Sequence, residues 1–340
     1  MNKKQLLASL DAYPRIILAG YPTPLELLPR LSKELDRRIY IKFDDKIGPG
    51  LGGNKTRKLE YLLADALRLG KKKIATFGGL QSNHVRITSA AARKFGLEPH
   101  LFFFERCPQS MAGNLIINQL LNAHMHFIPF GSGGSTGMTI ETTTRLVHMI
   151  AWAMIGSHYF IPVGGHNWLG CLGYVRAAIE MLDQSIDMGI EDAYVIVAAG
   201  SGGTLAGLMA GMYISESKHE LIGVDVGKLW KGFPKSIAKL TREICAHLDQ
   251  SIHFLPSSVP LIENTYVGEK YGKPSESGNA AIRLLARSEG ILLDPVYTAK
   301  AFSGLIDLVK QGKLDKHRPI IFIHTGGIPA LFAFSGPSLD

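Results

Sequence analysis

The sequence is poor in cysteine. Its 340 residues hold three, Cys107, Cys171 and Cys245, odd in number, far apart and in no metal-like or paired spacing. That argues against a disulfide-stapled secreted scaffold and leads to the expectation of a reducing compartment. Long apolar runs are also lacking. No stretch reaches the roughly 18 uninterrupted apolar residues of a membrane-spanning helix. The opening MNKKQLLASLDAYPR has too short an apolar core for a secretory leader. A soluble cytoplasmic protein is therefore expected, with no membrane partner. Charge is sparse at 19%, and the net +8 is scattered along the chain. The single tight basic run, Lys71-Lys72-Lys73, follows a helix C-terminus, where cations are favourable, so no nucleic-acid partner is expected. There is no GxSxG nucleophile elbow, and no lysine follows the main glycine loop as it would in a P-loop. His124 and His126 stand two apart with no nearby Cys or Asp/Glu set, so no metal is assigned.

What is present is a folded globular chain: 46% apolar residues, 37 glycines and enough length for two domains. Apolar runs alternate with amphipathic helical patterns. The strand-like segments are IYIKFDD (39–45), KIATFGG (73–79), HLFFFE (100–105), MHFIPF (125–130), HYFIPVGG (158–165), AYVIVAAGSGG (193–203), LIGVDVG (221–227), GILLDPVYT (290–298) and PIIFIHTGG (319–327). Helices are expected from Thr56 to Gly70, from about Ser82 to Phe95, near 111–123, and over YVRAAIEMLDQSI and TLAGLMAGMYI. Such alternation implies an α/β protein with parallel sheets covered by helices on both faces, and ligands bound beyond the carboxyl ends of the strands.

The helix opening in GGNKTRKLEY breaks a rule. Lys55, Arg57 and Lys58 crowd its first turn, where the helix dipole is positive and each cation costs about 0.3–1 kcal/mol. Elsewhere, Gly200-Ser201-Gly202-Gly203-Thr204 joins a buried strand directly to a helix, so converging amides and a helix N-terminus can hold a phosphate. Leu205 stands where a dinucleotide fingerprint wants glycine or alanine, so a single phosphate fits better than a pyrophosphate. Gln81, Ser82, Asn83 and His84 meet at another helix mouth, more polar groups than a cap requires, and suit a carboxylate. Tyr271, Tyr297, Thr298 and Thr325 follow further apolar runs or turns. A lysine after a strand, a glycine phosphate loop and an Asn/Ser helix mouth are together the parts of a pyridoxal-phosphate site.

In GGNKTRKLEY, GGLQSNHVR, AAGSGGTLAG, YGKP, LLDPVYTAKA and FIHTGG the chain resembles the D-cysteine desulfhydrase and 1-aminocyclopropane-1-carboxylate (ACC) deaminase branch of the tryptophan-synthase-beta-like, fold type II enzymes. The resemblance implies pyridoxal phosphate as cofactor, a small amino-acid substrate and a homodimer. It implies two domains, each a mostly parallel twisted sheet flanked by helices. Residues 1–57 with 166–340 would form the larger, 58–165 the smaller, and the site would lie in the cleft between. Lys55 would be the lysine bonded to the cofactor. Asn54, Lys58, Asn83, Gly200, Ser201, Gly202, Gly203, Thr204, Thr298 and Thr325 would be its other contacts, with Lys58 near the phosphate and Thr298 at the pyridine nitrogen. Gln81, Ser82, Asn83, His84 and Gly165 would bind substrate, and Lys55, Ser82, Tyr271 and Tyr297 would be catalytic. Arg57 would take neither part and would sit on the solvent or packing side of the helix. ACC deaminases resemble one another in PVYEGK, with glutamate where this chain has Thr298, and carry glutamine in place of His84. These differences imply a lyase acting on D-cysteine by α,β-elimination, with ACC deamination, or elimination from another β-substituted amino acid, as the alternative.

Overall fold

The computed structural model describes residues 3–129 and 137–334. Among the described residues, ten strands form two sheets. The larger sheet contains β1 (Leu25–Leu27), β2 (Ile39–Phe43), β7 (Tyr194–Ala199), β8 (Glu220–Asp225), β9 (Leu261–Ile262) and β10 (Ile320–His324), in the order β1-β2-β10-β7-β8-β9. The smaller contains β3 (Lys73–Phe77), β4 (Glu98–Phe103), β5 (His124–Phe127) and β6 (Tyr159–Phe160), in the order β5-β4-β3-β6. Every pairing is parallel except β1 on β2. The central strands β2, β7 and β10 are buried along their whole length, as expected of parallel strands covered on both faces.

Two departures from the sequence expectation have clear causes. The segment 290–298 joins no sheet. After Asp294 the chain turns instead, because the Asp294 carboxylate accepts the backbone N–H groups of Val296, Tyr297 and Thr298 and starts the helix Thr298–Lys310. The short strands β1 and β9 carry too few residues to show a period, and the sequence did not reveal them. The last residue of the expected strand 125–130 lies outside the described residues.

The helix Lys55–Arg68 ties the two sheets together. Its entry is pinned to the end of β10, where the Asn54 N–H donates to the Thr325 carbonyl at 3.0 Å. Gly52 precedes it at φ +63°, and a Cβ there would lie 2.5 Å from the Asp45 carbonyl, so only glycine fits this turn. The helix Trp168–Asp187 crosses this entry so closely that a Cβ on Gly173 would lie 2.1 Å from the Arg57 carbonyl.

Candidate active site

The carboxyl ends of both sheets face a cavity of about 360 Å³. Its walls bring together residues from distant parts of the chain. Asn54 and Lys55 come from one helix mouth, Ser82, Asn83 and His84 from a second. Gly200, Ser201, Gly202 and Thr204 form the loop after β7; Tyr271, Tyr297 and Thr325 close the remaining side.

Lys55 heads its helix, and its Nζ donates to Asn54 Oδ1 at 2.9 Å. Asn54 Nδ2 in turn donates to Thr204 Oγ1 at 3.0 Å, linking the lysine to the glycine loop. Burial, and then the neighbouring Lys58 cation, hold the Lys55 amine well below its ordinary pKa. Lys58 is fully buried and donates to the Gly164 carbonyl at 2.9 Å. A Cβ on Gly203 would come within 2.7 Å of its Nζ, so the ammonium lies directly against the glycine loop. That loop enters the helix Gly203–Ile214, whose first amides have no partner in their own helix. A Cβ on Gly164 would lie 2.1 Å from Ser201 Oγ, so the cradle is open only because glycine stands there.

At the second mouth, Ser82 caps the helix Asn83–Lys94. Asn83 Oδ1 accepts from Asn114 Nδ2 at 2.9 Å, which fixes its amide. Thr76 Oγ1 donates to the Ile161 carbonyl, so at its 2.8 Å contact with His84 Nε2 it accepts and the imidazole carries its proton there. Burial, with Lys55 and Lys58 adding to it, keeps His84 well below its ordinary pKa and therefore neutral. The Tyr271 and Tyr297 hydroxyls share a hydrogen bond, with their rings edge to face at 5.9 Å. Burial pushes the Tyr271 phenol up to about 12 and holds Tyr297 well above its ordinary pKa, so both stay protonated near neutral pH.

Three expected contacts lie elsewhere. Gln81 is engaged by the neighbouring loop, donating to the Ala112 carbonyl and accepting from the Asn114 N–H, so it does not face the cavity. Thr298 is fully buried against Asp294, whose N–H it accepts and whose carboxylate it donates to, each at 2.8 Å. Gly165 backs onto the Lys58 stem; Gly164 is the glycine that lines the cavity. Arg57 is not at the surface. It lies buried between helices, with Nε and Nη2 on the Asp44 carboxylate at 2.8 Å each, Nη1 and Nη2 on Glu180 at 3.0 and 2.9 Å, and its charge 4.7 Å from the centre of the Tyr21 ring.

The sequence reading missed Phe77, Phe104, Glu105, Leu229 and Trp230, which also line the cavity. All follow or end strands β3, β4 and β8, so the rule that ligands sit beyond strand carboxyl ends would have found them. Trp230 Nε1 donates to the Gly200 carbonyl at 2.9 Å and braces the glycine loop. A buried lysine of depressed pKa, a cradle of glycines at a helix N-terminus and a further lysine behind it form the donor set that pyridoxal phosphate requires. The site fits that cofactor.

The chain belongs to the pyridoxal-phosphate-dependent enzymes: the family described by that name matches residues 16–326. Among curated proteins, it is 42% identical over 336 residues to a D-cysteine desulfhydrase of Klebsiella pneumoniae, covering 96% of this chain and 98% of the relative. Among solved structures, one described as an ACC deaminase homologue superposes with a TM-score of 0.86 at 36% identity, covering 98% of this chain and 97% of the other. A threonine deaminase of Solanum lycopersicum shares the fold at a TM-score of 0.62 and 18% identity, covering 95% and 84%. The cofactor is pyridoxal phosphate.

Proposed function

We propose that this enzyme cleaves the carbon–sulfur bond of D-cysteine, consuming water and releasing pyruvate, hydrogen sulfide and ammonia. The observation that carries the reading is the buried Lys55 amine, its pKa held well below the ordinary value, in one cavity with the Ser82–Asn83 helix mouth and the Gly200–Thr204 loop. The 42% identity to proteins named D-cysteine desulfhydrase supports it. The same reading extends to a cytoplasmic homodimer, with residues 1–57 and 166–340 as the larger domain and 58–165 as the smaller.

When bound, pyridoxal phosphate supplies an electron sink beside the substrate Cα. Lys58, Ser201 and the amides of Gly202 to Thr204 would hold its phosphate, and Asn83 would meet its ring hydroxyl. Thr325, which faces the cavity, would take the place at the ring nitrogen that the resemblance gave to Thr298. Ser82 and the neighbouring amides receive the substrate carboxylate, with neutral His84 behind them adding no charge of its own. Lys55 removes the Cα proton, which its depressed pKa permits near neutral pH. The departing thiolate takes a proton from the Tyr271–Tyr297 pair, both members of which are protonated.

The purified holoenzyme is expected to release hydrogen sulfide and pyruvate from D-cysteine faster than from L-cysteine. Lys55→Ala should lose both turnover and the visible absorbance of covalently held cofactor. If 2-oxobutanoate from ACC were the main product, the substrate assignment would be overturned. If the visible band survived in Lys55→Ala, the assignment of Lys55 would fall.

A further inference from the structure

At the start of its strands, away from the cavity, the smaller sheet carries a cluster that sequence spacing hides. Glu98 and His100 are two apart on β4, and His124 and His126 are two apart on β5. The parallel register sets His100 beside His124, so the period of two turns all four side chains to one face. The imidazoles of His100 and His124 stack with centroids 4.5 Å apart. The ligand atoms of Glu98, His100 and His124 all lie within 4.8 Å of one another. Read along the chain, His124 and His126 lacked an acidic neighbour; the sheet supplies one.

Two observations point to a ligand here. His100 is only 6% exposed, yet its Nε2 has no hydrogen-bond partner and stands 3.8 Å from the Glu98 carboxylate. A buried polar atom left unpaired is uncommon and asks for an explanation. On the other side of the same ring, Nδ1 lies 3.1 Å from His126 Nε2. With Nδ1 donating to His126, Nε2 keeps its lone pair free on the side of the Glu98 carboxylate, and the stacked His124 must turn to share an ion with it. That is how a neighbouring acceptor fixes the tautomer of a metal-binding histidine. His126 is itself held by stacking on Phe102 at 4.6 Å.

We propose that Glu98, His100 and His124 bind a divalent transition ion of the zinc type, with His126 as the positioning residue for His100. Two neutral imidazoles and a carboxylate suit zinc, and water would complete a tetrahedron. Metal bonds of about 2.0–2.2 Å need the three donors closer together than they now stand. Glu98 and His124 are exposed and can turn inward to meet the ion. Lys73 opposes the ion: it pairs with Glu98 across the sheet and acts on His100, although its ammonium is bonded to the Ile155 carbonyl. Phe104, at the cavity, lies four residues beyond His100, roughly 13 Å along a strand, so the ion would clamp edge strand β5 to β4 without touching the reaction.

The test is calorimetric titration of zinc into metal-free holoenzyme carrying Cys107→Ser, which removes an exposed competing thiol. One ion per chain should bind and raise Tm. His124→Ala and Glu98→Gln, both exposed positions, should each weaken binding at least about 10-fold, and His126→Ala by about 10–100-fold. No saturable binding, or binding unchanged in His124→Ala, overturns the site. Unchanged affinity in His126→Ala overturns its positioning role.

Discussion

Replacing Arg57 by alanine tests the account of the helix mouth most directly. The guanidinium is buried, with Asp44 and Glu180 as its anions and Thr23 Oγ1 3.1 Å from Nη2. Lys42 is the second cation of the cluster, on Glu180 and the Thr23 carbonyl, and Tyr174 donates to Asp44 at 2.6 Å. Removing Arg57 leaves two carboxylates to one buried cation, and breaking a buried pair in this way costs about 3–5 kcal/mol. For a chain of 340 residues, an unfolding entropy of about 2.1 cal/mol/K per residue gives about 0.7 kcal/mol/K. The melting temperature, read by calorimetry on the holoenzyme, should therefore fall by about 4–7 °C.

The pH dependence has a definite sign. Asp44 and Glu180 are both held below their ordinary pKa, chiefly by Arg57, against the opposing effect of burial. Their contribution is present above the unfolded carboxylate pKa near 4 and is lost as pH falls through their folded values. Arg57→Ala should flatten this acid limb, and Asp44→Asn combined with Arg57→Met should recover part of the lost stability. A melting temperature unchanged within about 1 °C, with an acid limb as steep as in the parent, would refute the reasoning.

Two further outcomes follow from the cavity. Gly164→Ala places a Cβ against Ser201 Oγ at a φ of +64°, so cofactor affinity measured by equilibrium dialysis should drop about 10-fold or more; wild-type affinity would show that the cradle is elsewhere. Thr325→Val should shift the visible spectrum of the bound cofactor, whereas Thr298→Val should leave the spectrum alone and cost about 1–2 kcal/mol of stability through its lost bonds to Asp294. The reverse pattern would return the ring-nitrogen position to Thr298.

Much of the fold was legible because parallel strands buried on both faces read as continuous apolar runs. IYIKF, YVIVAA and IIFIH mark themselves, and the glycine loop after the second announces the proposed phosphate cradle. The expected strand over 290–298 failed because an apolar run cannot reveal that Asp294 captures three amides and turns the chain. Gln81 and Thr298 lie off the cavity for a related reason. A polar side chain in a motif looks the same whether it faces a ligand or satisfies a neighbouring loop, and only packing distinguishes the two.

The three cations at one helix mouth divide along the same line. By itself the sequence determined that Lys55, Arg57 and Lys58 share a first turn, since helical period and glycine-rich entry are local properties. Only the tertiary structure decided their separate uses. At about 100° per residue the three side chains leave the helix in different directions. Lys55 meets the open cavity and Lys58 the glycine loop, while Arg57 meets Asp44 and Glu180, which are 13 and 123 residues away in the chain. The same holds for Glu98 and His124, 26 residues apart in sequence and neighbours only because β4 and β5 pair in parallel.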